Sequence, residues 1–227
     1  MNTLVTVYIL TYKNFNYLEK TVRSVAEQSY KNIELLLSDD ASDNINKNEI
    51  SLLLFQYKKR FTNIIVNYNE KNLGTVKHLN KVISMSTGEL IMGLGADDYF
   101  ATPDAVERVV KYFNENPEKL LVASKRIDKE DKGLRPRDKI INLIVNNPTK
   151  FRKVALRMSC PLIGGVGTYY KKEIFDKYGP FLEAFTLAED VSYYLYVKMC
   201  IRDSNRYVLK LMPALISFHR KALIITE

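Results

Sequence analysis

Cysteine is scarce in this chain of 227 residues, and long apolar runs are missing. The two cysteines, Cys160 and Cys200, lie far apart, which argues against a disulfide framework and against a metal site built on cysteine. No apolar run approaches the roughly 20 residues that a helix needs to span a bilayer. The first residues also lack the basic and then apolar regions of a secretory signal. We therefore expect a cytoplasmic protein.

Several catalytic motifs are also absent. The sequence contains no G-x-x-x-x-G-K-[ST] phosphate loop, no G-x-G-x-x-G after its first apolar run, no H-E-x-x-H and no G-x-S-x-G. Hydrolases of the P-loop type, dinucleotide-dependent oxidoreductases, zinc proteases and serine hydrolases are therefore not expected.

Acidic residues are outnumbered, since 34 lysines and arginines against 26 aspartates and glutamates give a net charge of +8. The basic residues are scattered and form no continuous block, so nucleic-acid binding is not expected. Two explanations of the positive charge stay open: an ordinary solvated surface, and peripheral contact with an anionic membrane such as the inner face of the plasma membrane. The length and a hydrophobic content of 46% fit one domain over residues 1–227.

The first 125 residues alternate short apolar runs with segments of helical periodicity. Strands are predicted over residues 4–10, 33–37, 64–66 and 89–94. A helix is predicted after each strand, and Thr102 is expected to cap the fourth helix. On the third helix, His78 lies close to two lysines and is expected on the surface. Such repeated units predict an α/β fold with a Rossmann-like, mainly parallel sheet flanked by helices, followed by a less regular C-terminal region.

Two acidic pairs stand where predicted strands end. Asp39 and Asp40 follow the second strand, and Asp97 and Asp98 follow the fourth. Paired carboxylates at the end of an apolar strand are costly unless a cation or hydrogen-bond donors offset their charge. Ligands of parallel sheets bind beyond the carboxyl ends of the strands. The two pairs therefore predict a site for a charged ligand.

Five segments of the chain, in order, resemble motifs of the inverting family 2 glycosyltransferases, which have the GT-A fold and use nucleotide-diphospho-sugar donors. The segments cover residues 5–14, 38–43, 72–80 with 88–91, 96–98 and 187–190. Each is weak alone, but together they span nearly the whole chain in the family's order. The resemblance implies a nucleotide-sugar-binding part over residues 1–125 and an acceptor-side part with the catalytic base over residues 126–227.

The resemblance also implies a role for individual residues. Asp190 would be the general base, Asp98 would bind Mn²⁺ or Mg²⁺, and His219 is a second candidate metal ligand. The donor, a UDP-sugar, would contact Thr11, Tyr12, Asp39, Asp40, Asn72, Gly74 and Asp97. Asp40 would accept a hydrogen bond from the base. The acceptor would be a saccharide or a lipid-linked saccharide.

Structural roles compete with these assignments. Asp39 and Asp43 suit a turn or a helix cap, the pair at Asp97 suits a helix cap, and Asp190 suits a position at a helix start. A lone histidine such as His219 is more often packed or solvated than bound to a metal.

The chain departs from the family at two positions. Gly95 stands where an acid is common, and Leu79 stands where an arginine is common, so Lys71 or Lys77 would have to serve the phosphates. The chain has no tryptophan and therefore lacks the tryptophan signature of processive synthases, which favours transfer of a single sugar. Two other functions stay open, a sugar-nucleotide pyrophosphorylase and a non-catalytic binding module of the same fold.

Overall fold

The computed structural model describes residues 2–128, 167–184, 192–193 and 211–218, and for residues 125–128 and 211–218 it describes the backbone. The described strands are β1 (Val5–Thr11), β2 (Ile33–Asp39), β3 (Asn63–Tyr68), β4 (Leu90–Gly95), β5 (Asp98–Phe100), β6 (Leu121–Asp128), β7 (Thr168–Lys171) and β8 (Leu211–Phe218). The described helices are α1 (Leu18–Ala26), α2 (Lys47–Gln56), α3 (Thr75–Met85), α4 (Ala105–Glu115) and α5 (Glu173–Tyr178).

The eight described strands form one sheet in the order β3-β2-β1-β4-β7-β6-β8-β5. The pairs β3-β2, β2-β1 and β1-β4 are parallel, as expected for repeated strand-helix units. The other half of the sheet is mixed, because β7 is antiparallel to both β4 and β6 while β8 is parallel to β6 and antiparallel to β5. The prediction of a mainly parallel sheet flanked by helices is therefore confirmed, whereas most of the C-terminal region that was expected to be less regular lies outside the described residues.

Alternating side chains of the central strands fill a hydrophobic core on each face of the sheet. On β1, Val7 and Ile9 pack into the core beneath α1, α2 and α4, whereas Tyr8 packs into the core beneath α3 and α5. Every residue of β2 is buried, which is typical of a central strand covered on both faces. Packing on both faces of the sheet holds β2 and β4 in place, and the two acidic pairs lie at the carboxyl ends of these strands.

The expected cap of the fourth helix is wrong. Helix α4 begins at Ala105, and the hydroxyl of Thr102 donates to the Asp104 carboxylate at 2.6 Å instead of capping the helix. The Val106 N–H, one of the unpaired donors of the first turn, donates to Gln28 Oε1 at 3.1 Å. A side chain from the segment that follows α1 therefore takes the capping role, which the local sequence around Thr102 does not reveal.

Glu34 is a fully buried carboxylate at the opposite end of the sheet from the acidic pairs. It accepts hydrogen bonds from the Thr6 hydroxyl at 2.7 Å and from the Thr87 N–H and hydroxyl at 2.9 and 2.6 Å. The Asn63 amide adds a fourth bond at 3.2 Å. Burial by itself would raise the pKa of Glu34, but these bonds outweigh it and the pKa is lowered.

We expect Glu34→Gln to lower the free energy of unfolding by about 2 to 3 kcal/mol, because an amide weakens charge-assisted bonds and turns one acceptor into a donor. The loss should be full above the ordinary glutamate pKa of 4.5 and should shrink as the pH falls through the lower folded pKa. Urea unfolding at several pH values measures it. The exposed Glu89→Gln is the matched control; an equal effect of both variants would contradict the role of Glu34.

Candidate active site

Both acidic pairs lie at the same edge of the sheet, on either side of β1. In the register of the sheet Thr11 pairs with Asp39 on β2, and Leu10 pairs with Gly95 at the end of β4. Asp97 and Asp98 follow β4 after a tight turn, and Asp98 begins β5. The expectation that both pairs lie at the carboxyl ends of parallel strands is therefore confirmed.

Asp39 organises the loop that follows β2. Its carboxylate is 1% exposed and accepts from the Ser42 N–H at 2.8 Å, the Ser42 hydroxyl at 2.6 Å and the Thr11 hydroxyl at 2.8 Å. The bond to the N–H three residues on is the local turn that aspartate favours. The turn role of Asp39 is thus present, and direct contact of Asp39 or Thr11 with a nucleotide stays a prediction.

The loop after β1 faces solvent beside Asp39. Tyr12 is about half exposed, at 48%. Lys13 has a positive φ of 56°, a conformation that non-glycine residues rarely adopt, and its N–H donates to Ser42 Oγ at 2.7 Å. Its ammonium pairs with Asp43 at 3.3 Å. The capping role considered for Asp43 belongs to Asn46, whose side chain accepts from the third N–H of α2.

Asp40 holds the loop that leads into α3. Its buried carboxylate accepts from the Asn69 amide at 2.8 Å, the Leu73 N–H at 2.9 Å and the Gly74 N–H at 3.0 Å. Gly74 has a φ of +77°, which glycine adopts without strain, and Asn72 Oδ1 also accepts from its N–H at 3.0 Å. An ionised carboxylate has about four acceptor positions, so Asp40 keeps capacity for one further donor.

His78 is buried, and the expectation that it lies on the surface is wrong. It is 3% exposed, and its Nε2 lies 2.7 Å from Ser38 Oγ on β2. Val82, one helical turn further along α3, is also buried, so this face of the helix rests on the sheet. Burial lowers the pKa of His78, opposed by Asp40 and Asp39 and assisted by Lys81.

Gly95 fits closely against the second acidic pair. The Gly95 N–H donates to Asp98 Oδ2 at 3.0 Å, and Asp98 is 7% exposed. A Cβ atom on Gly95 would lie 3.0 Å from Asp98 Oδ2 and 3.1 Å from Asp97 Oδ1. The absence of an acidic side chain at this position therefore matches the packing, because any side chain would press on both carboxylates.

Asp98 is paired across the sheet with Phe218 of β8, the residue that precedes His219 in the sequence. Within the described ranges, no three histidine, cysteine, aspartate or glutamate side chains come together as a metal site. The donor chemistry nevertheless fits a hard cation, since Asp97 and Asp98 offer carboxylate oxygens at one strand end. The assignments of Asp98 and His219 as metal ligands stay predictions.

Leu79 occupies the hydrophobic core instead of facing a ligand. It is 5% exposed and packs in the core beneath α3 and α5. The neighbouring Asn80 joins α3 to the segment after α5, since it donates to the Phe181 carbonyl at 3.0 Å and accepts from the Phe181 N–H at 2.9 Å. Lys71 and Lys77 are both exposed, and their contact with phosphates stays a prediction.

Three residues singled out by the sequence, Glu189, Asp190 and His219, lie outside the described residues. Conversely, a polar network behind Asp40 was not predicted from the sequence; its members are Ser38, Asn67, Asn69 and Lys81. Ser38 and Asn67 are polar residues near the ends of buried or half-buried strands, and this position in the sequence could have indicated the network.

Comparison with known sequences identifies the class of protein. The sequence model described as Glycosyl transferase family 2 matches residues 6–179. The chain belongs to glycosyltransferase family 2.

Individual relatives agree with this assignment. A glycosyltransferase of Rickettsia bellii is 26% identical over 222 residues, which cover 95% of this chain and 30% of that protein. The putative teichuronic acid biosynthesis glycosyltransferase TuaG of Bacillus subtilis is 31% identical over 112 residues, covering 49% of this chain and 42% of TuaG. The chain thus spans well under half of the length of these relatives.

Solved structures show the same fold. S. aureus TarS 1-349 in complex with UDP-GlcNAc has a TM-score of 0.72 at 16% identity, with 96% of this chain and 59% of that chain covered. The mannosyltransferase PcManGT from Pyrobaculum calidifontis, in complex with GDP-Man and Mn²⁺, has a TM-score of 0.72 at 19% identity, covering 96% and 56%. The prediction of a GT-A fold is confirmed. Among the described residues, no helix is long and apolar enough to cross a membrane.

Proposed function

We propose that this chain is the catalytic domain of an inverting, metal-dependent glycosyltransferase that moves one sugar from UDP to an acceptor hydroxyl. The observation that carries the proposal is the pair of acidic clusters on either side of β1, at the carboxyl ends of β2 and β4, in a member of family 2. Such an edge of a parallel sheet is where nucleotides bind.

The donor pocket would lie between the loop after β1 and the loop at the start of α3. Tyr12 offers an exposed ring at its mouth, and Asp40 offers its remaining acceptor position to the base. Two structural neighbours are complexes with UDP-GlcNAc and GDP-Man, which supports a nucleotide-diphospho-sugar as the ligand. Uracil is the expected base because the N3–H of uracil can donate a hydrogen bond to the Asp40 carboxylate.

The base pocket gives a direct prediction. UDP and dTDP should bind more tightly than CDP, because cytosine has no N3–H and would leave the buried Asp40 acceptor unpaired. A hydrogen bond to a charged group contributes about 1.5 to 3 kcal/mol, so roughly a tenfold preference or more is expected. Competition calorimetry with the three nucleotides measures it, and equal affinity for CDP and UDP would place Asp40 outside the base pocket.

The second acidic pair would serve the diphosphate. We propose that Asp98 binds Mn²⁺ or Mg²⁺ and that Asp97 lies close to the ribose of the donor. We also propose that His219, the residue after β8, is a second metal ligand. The complex of PcManGT with Mn²⁺ and the pairing of Asp98 with Phe218 support this arrangement. A divalent ion held there would offset the negative charge that develops on the departing diphosphate.

Inversion needs a base on the side of the sugar opposite the nucleotide. We propose that Asp190 takes the proton of the acceptor hydroxyl as its oxygen attacks the anomeric carbon. The bond from that carbon to the diphosphate oxygen breaks in the same displacement, and the nucleoside diphosphate leaves. One direct displacement inverts the anomeric centre, so the product and donor should have opposite configurations.

The acceptor is proposed to be a saccharide or lipid-linked saccharide at the inner face of the plasma membrane, in the synthesis of a bacterial surface polysaccharide or glycolipid. The net charge of +8 and the name of the relative TuaG support this part of the proposal. A positively charged protein is attracted to anionic lipid surfaces. On this view the domain works in the cytoplasm as a peripheral protein.

Mass spectrometry separates this function from its rivals. Incubation with UDP-sugars, Mn²⁺ and a panel of saccharide acceptors should release UDP and add one sugar to an acceptor. In a parallel incubation with added pyrophosphate, formation of UTP and a sugar 1-phosphate would support a pyrophosphorylase. Donor binding without turnover in either incubation would support a binding module.

A further inference from the structure

We propose that His78 is a positioning residue for the nucleotide-base pocket: it fixes Asp40 through Ser38, Asn67 and Asn69, and its protonation weakens nucleotide binding. The inference rests on the proposed role of Asp40 in binding the base. The proposed coupling between His78 and Asp40 is indirect, because a continuous series of hydrogen bonds joins the two side chains.

Each hydrogen bond of this relay is short. His78 Nε2 lies 2.7 Å from Ser38 Oγ, and the Asn67 amide donates to the same Ser38 Oγ at 2.8 Å. The Asn67 amide also donates to Asn69 Oδ1 at 2.9 Å. Asn69 in turn donates to Asp40 Oδ1 at 2.8 Å. Ser38, Asn69 and Asp40 are buried and Asn67 is half-buried, so most of the relay is shielded from water.

The relay has a direction in the neutral tautomer of His78 whose Nε2 accepts. Ser38 Oγ already accepts from Asn67, so its own proton is available for this Nε2. A protonated imidazole carries hydrogens on both nitrogens and cannot accept. Ser38 Oγ would then accept from both His78 and Asn67 through its two lone pairs, and its own proton would have to turn away from Nε2. Protonation of His78 therefore reorients the Ser38 hydroxyl that holds Asn67 and, through it, Asn69.

Charge acts in the same direction. The charged groups that influence His78 are Asp40, Asp39 and Lys81, and Lys81 also donates to Asn69 Oδ1 at 2.7 Å. A positive charge on His78 attracts the Asp40 carboxylate and competes with its bonds to the backbone of the loop before α3. Burial holds the pKa of His78 below the ordinary value of 6.5, so the residue is neutral at neutral pH.

The first test follows the loop in the protein without ligand. In ¹H–¹⁵N spectra of the whole chain, the Leu73 and Gly74 amides, which donate to Asp40, should shift together with the titration of His78, whose pKa lies below the ordinary value of 6.5. The shift should disappear in His78→Gln. In Ser38→Ala, His78 still titrates but the two amides should shift much less than in the wild type, because only the direct effect of its charge on Asp40 remains. The exposed Ser84→Ala on α3 is the matched control and should titrate like the wild type.

The second test measures affinity. UDP binding with Mn²⁺ should weaken by about tenfold on acidification in the wild type relative to His78→Gln, which corresponds to UDP lowering the pKa of His78 by about one unit. Comparing the wild type with His78→Gln cancels the effect of protonating the UDP phosphates, because that effect is the same for both proteins. UDP should accordingly lower the pKa of His78 in the NMR titration.

Two results would overturn the relay: amides that titrate equally in wild type and His78→Gln, or amides in Ser38→Ala that follow His78 with the full wild-type shift. A constant affinity ratio between wild type and His78→Gln would overturn its effect on the nucleotide. If the wild type binds no nucleotide at any pH, the proposed function fails instead, and the amide titration still decides whether the relay exists.

Discussion

Replacing Asp190 with asparagine is expected to slow sugar transfer by roughly 10²- to 10⁴-fold. Asparagine keeps the size and much of the polarity of the side chain, but it cannot take the proton of the acceptor hydroxyl. The affinity for UDP should hardly change, because the proposed base faces the acceptor. Initial rates of transfer, measured by mass spectrometry, and UDP calorimetry on the same preparation give the two numbers.

The neighbouring Glu189→Gln is the matched control and should retain most of the activity. Loss of UDP affinity together with activity in Asp190→Asn would assign Asp190 to the donor site or to the fold. The anomeric configuration of the product, read by NMR, is an independent check. Retention of configuration would contradict the single-displacement mechanism.

Replacing Asp98 with asparagine should remove most of the divalent-ion dependence of nucleotide binding. The amide can still accept from the Gly95 N–H, so the turn is preserved while the charge is lost. Loss of a partner that merely orients a metal ligand costs about 10- to 100-fold in metal affinity, so loss of the ligand itself should cost at least as much. Calorimetry of UDP with and without Mn²⁺ measures the effect.

Asp43→Asn is the matched control for Asp98→Asn. Asp43 is an exposed carboxylate that pairs with Lys13, so its loss should leave the metal dependence nearly intact. The proposed metal site would be wrong if Asp98→Asn bound UDP and Mn²⁺ as tightly as the wild type does.

The parallel half of the sheet was predictable because its information is local. Strands β1, β2 and β4 are mainly apolar segments of six or seven residues. The other half depends on contacts between distant segments, such as Asp98 of β5 with Phe218 of β8. Strand β5 has only three residues, too few for a periodic signal.

The site was predictable in outline for the same reason. Acidic residues at the ends of apolar strands mark Asp40 and Asp98 in the sequence alone. The sequence does not reveal which carboxylates are occupied by hydrogen bonds within the protein, as Asp39 is by its bonds to Thr11 and Ser42. The bond between Asp39 and Thr11 depends on the register of β1 and β2, which brings these two residues opposite each other.

The error on His78 has a physical cause. Two nearby lysines suggested a solvated face, but helical neighbours in sequence point in different directions. Positions three and four apart share a face, and buried Val82 lies four residues after His78. That spacing places His78 toward the sheet, where Ser38 supplies the polar partner that a buried imidazole needs.

The most direct test of the account is thermal unfolding of the chain with UDP-sugars, in Mn²⁺ and in a chelator. Saturation at about a hundred times the dissociation constant should stabilise the fold by about 2.7 kcal/mol. We predict that UDP-sugars raise the unfolding temperature in Mn²⁺ and lose most of this effect in the chelator. No stabilisation by any nucleotide sugar, with or without metal, would contradict the proposed donor site.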